Sequence, residues 1–253
     1  MNDTDRFRSA LFFTIKLLPV FLIASYCTAL YTLDTIDPAT IDQVIAQFGS
    51  RTAFLAVQVS NPMFLSMVAA FFGYLLAGAT GLKRPLRFDR PVLLRTLVVS
   101  LVAGVLFSLD YWVFGAFIPA IREAASGSIP WYTWVSHVLY GGIVEEILLR
   151  WFAMSLITWI LWKLFARRET TVPDKLLIAA NVVAALLFAA AHLPATAASA
   201  LGITPVTLLR CLLVNGGYGL LFGRLYRRYG IQYAMLCHAL VHVVADIVMT
   251  VVL

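Results

Sequence analysis

Seven long apolar runs, separated by short polar connections, make up most of this 253-residue sequence. A helix needs about 20 apolar residues to cross the hydrocarbon core of a bilayer, whereas a barrel strand needs about 10. The runs therefore predict an all-α fold, a polytopic transmembrane helical bundle of about seven spans. They cover residues 10–33, 53–79, 92–120, 131–165, 174–192, 204–222 and 232–253.

The connections between the runs are too short to hold a soluble domain. Hydrophobic residues make up 61% of the chain and charged residues 13%, against about 45–50% and about 25% in soluble domains. We therefore predict a single integral membrane domain over residues 1–253, with N-terminal spans in 1–130 and the polar motifs in 131–253. The three cysteines all lie within apolar runs, so no disulfide is expected.

Basic residues are not spread evenly over the connections. They concentrate before residue 10 and in 82–91, 163–175 and 224–228, and they are sparse in 34–51, 121–130 and 193–203. By the positive-inside rule this alternation places the N-terminus in the cytoplasm, with a first span that is retained rather than cleaved as a signal. The formal charge of +6 is then explained by loops that face anionic lipid, and no nucleic-acid partner is expected.

Ionisable side chains inside an apolar span are costly, so each one is a hypothesis of function. The candidates are Asp110, Glu145, Glu146, Arg150, His192, Arg210, His238, His242 and Asp246. Asp110 and Arg210 have comparable expected depths, and we interpret them as a structural ion pair.

The stretch "EEILLR" places two carboxylates and a guanidinium within six residues of one span. Glu146 and Arg150 are four residues apart and share a helix face, which favours a structural ion pair. Glu145 points about 100° away from Glu146 on a helix of 3.6 residues per turn, so Arg150 cannot easily neutralise both. Glu145 is therefore left for another role, and we expect it to act as a general base.

Histidines occur in two later runs. His192 closes the stretch "FAAAH", where a histidine by itself is more often a satisfied core residue than a catalytic one. His238 and His242 lie one helical turn apart in "CHALVHVVAD", and Asp246 continues the same face. Together with a buried glutamate, these imidazoles predict a polar site inside the bundle.

The three motifs "EEILLR", "FAAAH" and "RRYGIQYAMLCHALVH", in this order, resemble the CPBP family of CAAX prenyl endopeptidases and bacteriocin-processing enzymes. The family pattern is EExxxR, FxxxH and HxxxN, and the resemblance covers about residues 131–253. It implies an intramembrane endopeptidase of the glutamic type, a hydrolase that needs no metal or other cofactor. Its partners would be the lipid bilayer and a peptide or protein substrate, as a tail or leader that reaches the membrane. The expected location is the bacterial cytoplasmic membrane.

The resemblance also implies roles for individual residues. Glu145 would act with His192 to deprotonate the attacking water, and His238 with His242 would hold the oxyanion. Glu146, Arg150 and Asp246 would be supporting residues. The sequence departs from the family at His242, which stands where Asn is usual. An alternative register makes His242 and Asp246 the HxxxN-like pair.

Two other interpretations stay open at this point. His238 and His242 at i and i+4 are a common zinc-binding pair, with His192 or Glu145 as a third ligand, although "HALVH" lacks the glutamate of HExxH zinc proteases. Alternatively, the same fold could serve as a non-catalytic transporter or scaffold, because buried charges also mark proton-coupled transporters.

Helix length tests whether the candidates can meet. At 1.5 Å per residue, Glu145 lies about 20 Å from the outer end of its span and His238 about 10 Å from the inner end. The two depths coincide in a core about 30 Å thick. His192, counted from Lys175, falls near the outer surface instead. Either the fifth helix begins in the cytoplasm or the spans tilt strongly. The uncharged stretch 193–204, rich in small residues, also predicts a re-entrant segment that folds back into the protein and brings His192 lower.

Overall fold

The computed structural model describes residues 2–36, 40–124, 128–199 and 201–252. The protein is 84% helical, and the described residues contain no strand, only an isolated bridge between Ile36 and Ser199. This confirms the all-α class. The α-helices are α1 (Asp3–Thr35), α2 (Ile41–Gln47), α3 (Arg51–Ala79), α4 (Arg90–Ser108), α5 (Asp110–Val113), α6 (Pro119–Ala124), α7 (Trp131–Val135), α8 (Ser155–Phe165), α9 (Asp174–Ala191), α10 (Leu193–Ala198), α11 (Pro205–Cys211), α12 (Gly217–Tyr229) and α13 (Ile231–Val252).

Seven helical segments of the described chain are long and apolar enough to cross a membrane, as the seven runs predicted. Several of them join two or more consecutive helices. The spans, numbered in chain order, are Asp3–Thr35, Arg51–Ala79, Arg90–Val113, Trp131–Phe165, Asp174–Ala198, Pro205–Tyr229 and Ile231–Val252.

Short polar motifs at the ends of the spans explain where several of them begin. Ser50 and Asp89 accept hydrogen bonds from backbone N–H groups in the first turns of the second and third spans, at 3.1 and 3.2 Å. Thr204 forms a capping box with Thr207 at the start of the sixth span. Gly230 has a φ of 114°, which favours glycine, and it allows the sixth span to turn directly into the seventh.

The fourth span is not an ordinary α-helix. Between α7 and α8 it is π-helical over Ser136–Glu145 and again over Ile147–Met154. Each hydrogen bond of a π-helix spans five residues, so this helix is wider than an α-helix and has more residues in each turn. Such segments are rare, occur mostly as single turns inside α-helices, and are frequent at functional sites. The winding therefore changes which side chains share a face.

The seventh span packs against the third span and the π-helical part of the fourth. The approach is close because small residues meet there. A Cβ at Gly142 would lie 2.6 Å from Cβ of Ala239, and a Cβ at Gly104 would lie 2.9 Å from the carbonyl oxygen of Val241. Small residues at such contacts let helix backbones come together in a membrane. This packing brings the fourth and seventh spans into register for the side chains described next.

Candidate active site

Glu146 and Arg150 form a fully buried ion pair, with their side chains 0% and 1% exposed. Nη1 of Arg150 lies 3.0 Å from Oε1 of Glu146. The guanidinium also donates from Nη2 to the carbonyl oxygen of Gly219 at 3.3 Å and lies over the ring of Phe188, 4.3 Å from its centroid. The predicted pairing of Glu146 with Arg150 is confirmed, and it neutralises one of the two adjacent carboxylates.

The carboxylate of Glu145 has different surroundings. Its Oε1 lies 4.0 Å from Nε2 of His192, and its Oε2 lies 3.8 Å from Nε2 of His238. The Glu145 side chain is 18% exposed and that of His192 is 32% exposed. Two imidazoles, from the fifth and seventh spans, therefore converge on one accessible carboxylate of the fourth span. Glu145 faces the imidazoles as the sequence analysis expected.

His192 has a fixed tautomer. Its Nδ1 lies 2.8 Å from the carbonyl oxygen of Phe188, one helical turn earlier. A carbonyl oxygen only accepts hydrogen bonds, so Nδ1 carries the proton and donates. In the neutral imidazole, Nε2 therefore holds a lone pair, and this lone pair is directed toward Glu145.

The same argument applies to His238. Its Nδ1 lies 2.9 Å from Oε1 of Glu146, which is a carboxylate because it is paired with Arg150. Nδ1–H of His238 therefore donates to Glu146, and Nε2 of the neutral ring is an acceptor. A second carboxylate that orients an imidazole in this way is a common feature of catalytic sites. Glu145 thus lies between two ring nitrogens that both accept hydrogen bonds.

His242 is held by ring contacts and makes no hydrogen bond to any described residue. Its ring stacks on that of His238 with centroids 5.1 Å apart and planes at 25°. The ring of Phe107 packs edge to face with that of His242, with centroids 5.5 Å apart. Its Nε2 points at the surface of the fourth span, because a Cβ at Gly141 would lie 3.0 Å from this atom and 3.6 Å from Nε2 of His238. The two Nε2 atoms therefore border the same space.

Asp246 has a partner that the sequence analysis did not identify. Its Oδ2 lies 2.8 Å from Nδ1 of His137, a residue of the fourth span. The ring of His137 also stacks on that of His242, with centroids 4.9 Å apart and planes at 23°. Asp246 therefore contacts His137 and not Glu145, whereas His238 is the histidine of the seventh span that faces Glu145. This geometry favours the register that pairs His238 with His242.

The winding of the fourth span explains why the sequence pattern did not place His137 in the site. Glu146 follows His137 by nine residues, which is two and a half turns of an α-helix, so a reading at 3.6 residues per turn puts them on opposite faces. In a π-helix the same nine residues complete about two turns. Both side chains then face the seventh span. The available signal was that His137 is an imidazole inside an apolar run, which alone marks a functional hypothesis.

Two further expectations concern residues outside this cluster. Nε of Arg210 donates to both carboxylate oxygens of Asp110, at 2.8 and 3.0 Å, and Nη2 donates to Oδ2 at 2.6 Å. The structural pairing of these two residues is confirmed. The three cysteines are free and buried, which agrees with the expected absence of a disulfide within the described ranges.

The fold-back of residues 193–204 stays a prediction. The chain turns at His192 and resumes as the short helix α10, which prolongs the fifth span to Ala198. Ser199 then pairs with Ile36 at the end of the first span. His192 lies within the fifth span, with its Nε2 4.0 Å from Oε1 of Glu145.

No three His, Cys, Asp or Glu side chains in the described part of the chain converge closely enough to hold a metal ion. His238 and His242 border one space, but their rings are stacked.

Residues 127–244 match the family described as type II CAAX prenyl endopeptidase Rce1-like. This range contains the three sequence motifs, and it ends before Asp246. No curated protein matches the chain, and no solved structure matches it.

Proposed function

We propose that this chain, whose residues 127–244 belong to the Rce1-like family of type II CAAX prenyl endopeptidases, hydrolyses peptide bonds with Glu145 as the general base. The family indicates a protease, and the seven apolar spans indicate an integral multi-pass membrane protein. The glutamic mechanism and the roles of individual residues are the proposed part.

One observation carries the mechanism. The carboxylate of Glu145 lies 4.0 Å and 3.8 Å from two imidazole nitrogens that bear lone pairs. Catalytic hydrogen bonds measure about 2.6–3.2 Å, and in structures without substrate they are often longer. Three acceptors around one accessible space favour a molecule that donates two protons, and water has this property.

Attack on the peptide would begin with that water. His192 accepts one hydrogen bond at Nε2 and orients the molecule, while the carboxylate of Glu145 removes the other proton. The water oxygen bonds to the carbonyl carbon, and the π electron pair of the C=O bond moves to the carbonyl oxygen. Because a bundle core excludes bulk water, the electrostatic interactions that support this step are stronger than in solution.

The oxyanion needs a hydrogen-bond donor. His238 in its neutral form cannot provide one at Nε2, since its Nδ1–H is committed to Glu146. His242 has no hydrogen bond that fixes its tautomer among the described residues, so its Nε2 is free to carry a proton. We therefore assign the oxyanion to His242, and we assign His238 to accept a hydrogen bond from the newly protonated Glu145.

Collapse of the tetrahedral intermediate completes the reaction. The electron pair of the oxyanion re-forms the C=O bond, and the C–N bond breaks. The proton held by Glu145 passes to the leaving nitrogen, so that one water is consumed and a carboxylic acid and an amine are released. Glu145 returns to its carboxylate form. The buried pair of Glu146 and Arg150 supports the cycle because it holds His238 in one tautomer.

The substrate would be a peptide or protein segment, a tail or a leader, that reaches the site from the membrane surface. The exposed side of Glu145 and His192 is the point at which a scissile bond can enter. A bacterial cytoplasmic membrane is the proposed location.

Comparative mass spectrometry of membrane peptides tests the proposal. Cells would carry the wild-type protein, Glu145→Gln, or the control Asp174→Asn. Asp174 is 69% exposed on its side chain and pairs with Arg227 at the far end of the fifth span. We expect new peptide termini with the wild type and the control but not with Glu145→Gln. The same new termini with Glu145→Gln as with the wild type would refute the mechanism. If neither the wild type nor any variant produced new termini, the proposed protease activity would be refuted and a scaffold favoured.

A further inference from the structure

We infer that His137 and Asp246 form a positioning pair that holds the ring of His242 in the orientation an oxyanion donor requires. This inference rests on the proposed function, since it concerns the same site. It adds His137 and Asp246, which would affect hydrolysis through the position of His242.

The pair is itself well fixed. Nδ1–H of His137 donates to Oδ2 of Asp246 at 2.8 Å, and the two side chains are 22% and 10% exposed. The bond joins the fourth span to the seventh. A carboxylate that accepts from Nδ1 sets both the tautomer and the ring orientation of an imidazole. His137 is therefore a ring in a defined plane.

His242 lacks any such anchor of its own. Its ring nitrogens make no hydrogen bond within the described chain, and its orientation depends on neighbouring rings. One stacked neighbour is His238, which is itself fixed by Glu146. The other is His137, 4.9 Å away at 23°. Each stacked neighbour of His242 is thus an imidazole whose Nδ1 is held by a carboxylate.

The first span also contacts His137. The rings of Tyr31 and His137 pack edge to face, with centroids 5.6 Å apart. One residue earlier on the fourth span, the hydroxyl of Ser136 lies 2.7 Å from that of Thr28. His137 is thereby confined between Tyr31 and His242. A shift of His137 would be passed on to His242.

The pair of His137 and Asp246 matters because residue 242 is a histidine. The donor of an imidazole lies in the ring plane, so a rotation of the ring moves Nε2 away from the oxyanion. Misplacing a catalytic group by about 1 Å can lower a rate by about 100-fold. An asparagine at this position would present a flexible amide and would not depend on stacking. The influence of His137 should therefore exist only while residue 242 is a histidine.

A double-mutant cycle tests this dependence. His137→Leu, His137→Phe and Asp246→Asn would each be made in the wild-type and in the His242→Asn background, in purified protein reconstituted with a peptide that the wild type cleaves. We expect His137→Leu and Asp246→Asn to lower kcat at least about tenfold with little change in KM. In the His242→Asn background the same changes should alter kcat less than about twofold, a clear departure from additivity. His137→Phe keeps a stacking ring without the anchor, and its loss should be smaller than that of His137→Leu.

Several outcomes would overturn the inference. Equal losses in the two backgrounds would mean a general structural role, and unchanged kcat in the wild-type background would mean no role. Inactivity of His242→Asn would remove the oxyanion donor assignment on which the pair depends. The proposed function fails separately, through full activity of Glu145→Gln. Gel filtration confirms folding of each variant, and Asp246→Asn, which preserves the shape of the side chain, serves where His137→Leu does not fold.

Discussion

Glu145 and Glu146 are adjacent in sequence, yet only Glu146 is neutralised by a guanidinium. The side chain of Glu146 is 0% exposed and ion-paired with Arg150, whereas that of Glu145 is 18% exposed and faces two imidazoles. Glu146 is thus a carboxylate that stabilises the fold, whereas Glu145 is a carboxylate that can react. Matched substitutions at the two positions test this division.

Glu145→Gln should abolish hydrolysis without destabilising the protein. The amide keeps the shape of the side chain but cannot take a proton from water, and loss of a general base lowers rates by about 10²–10⁴-fold. The check is kcat in proteoliposomes together with the temperature at which half of the detergent-solubilised protein aggregates. A large fall in that temperature would mean that Glu145 is structural.

Glu146→Gln should have the opposite profile. It leaves the buried guanidinium of Arg150 without its charge partner, and breaking a buried pair in this way costs about 3–5 kcal/mol. We expect a much lower aggregation temperature and poor recovery of folded protein. Asp174→Asn, which removes the exposed partner of Arg227, is the matched control and should change stability little. Normal stability of Glu146→Gln would contradict the assignment of the pair as a structural element.

Substitutions of His242 should distinguish the contribution of its N–H donor to kcat from that of its stacked ring. His242→Asn retains an N–H donor, so we expect kcat within about tenfold of the wild type. His242→Phe retains a stacking ring but no donor, and loss of one oxyanion donor lowers kcat by about 10²–10³-fold. Steady-state kinetics on one peptide distinguishes the two. If both variants were equally active, the oxyanion would lie elsewhere.

Gly142 should be intolerant of a side chain. Its Cβ would meet Cβ of Ala239 at 2.6 Å and Cα of the same residue at 2.9 Å, so Gly142→Ala must push the fourth and seventh spans apart. We expect at least about a tenfold loss of kcat, since Glu145 and His238 are positioned by that contact. Gly217→Ala is the control, because a Cβ there meets nothing within 4 Å. Equal effects of the two changes would show that the close approach is unimportant.

Strong chelators should leave hydrolysis unchanged. The proposed mechanism obtains its base from Glu145 and its donor from His242, and three metal-ligating side chains do not converge in the described ranges. Activity would be measured before and after prolonged treatment with a zinc chelator, with elemental analysis of the purified protein. If activity were lost on chelation and restored by zinc, the protein would be a zinc-dependent protease and the glutamic mechanism would be wrong.

Much of the architecture followed from the sequence because it depends on local properties. The seven spans came from the lengths of the apolar runs, since the bilayer sets the length of a crossing helix. The pairing of Glu146 with Arg150 came from their spacing along one helix. Asp110 and Arg210 were paired from similar depth, because a lone charge in a span requires a partner. The cytoplasmic N-terminus stays a prediction.

The arrangement around His242 depended on the tertiary structure. A reading at 3.6 residues per turn separates His137 from Glu146, whereas the π-helical winding brings both toward the seventh span. The partner of Asp246 and the extension of the fifth span beyond His192 were equally hidden. Hydrophobicity and spacing determine which segments cross the membrane and which neighbours on a helix can pair. How a helix winds, and which rings meet across spans, depends on contacts between segments far apart in the chain.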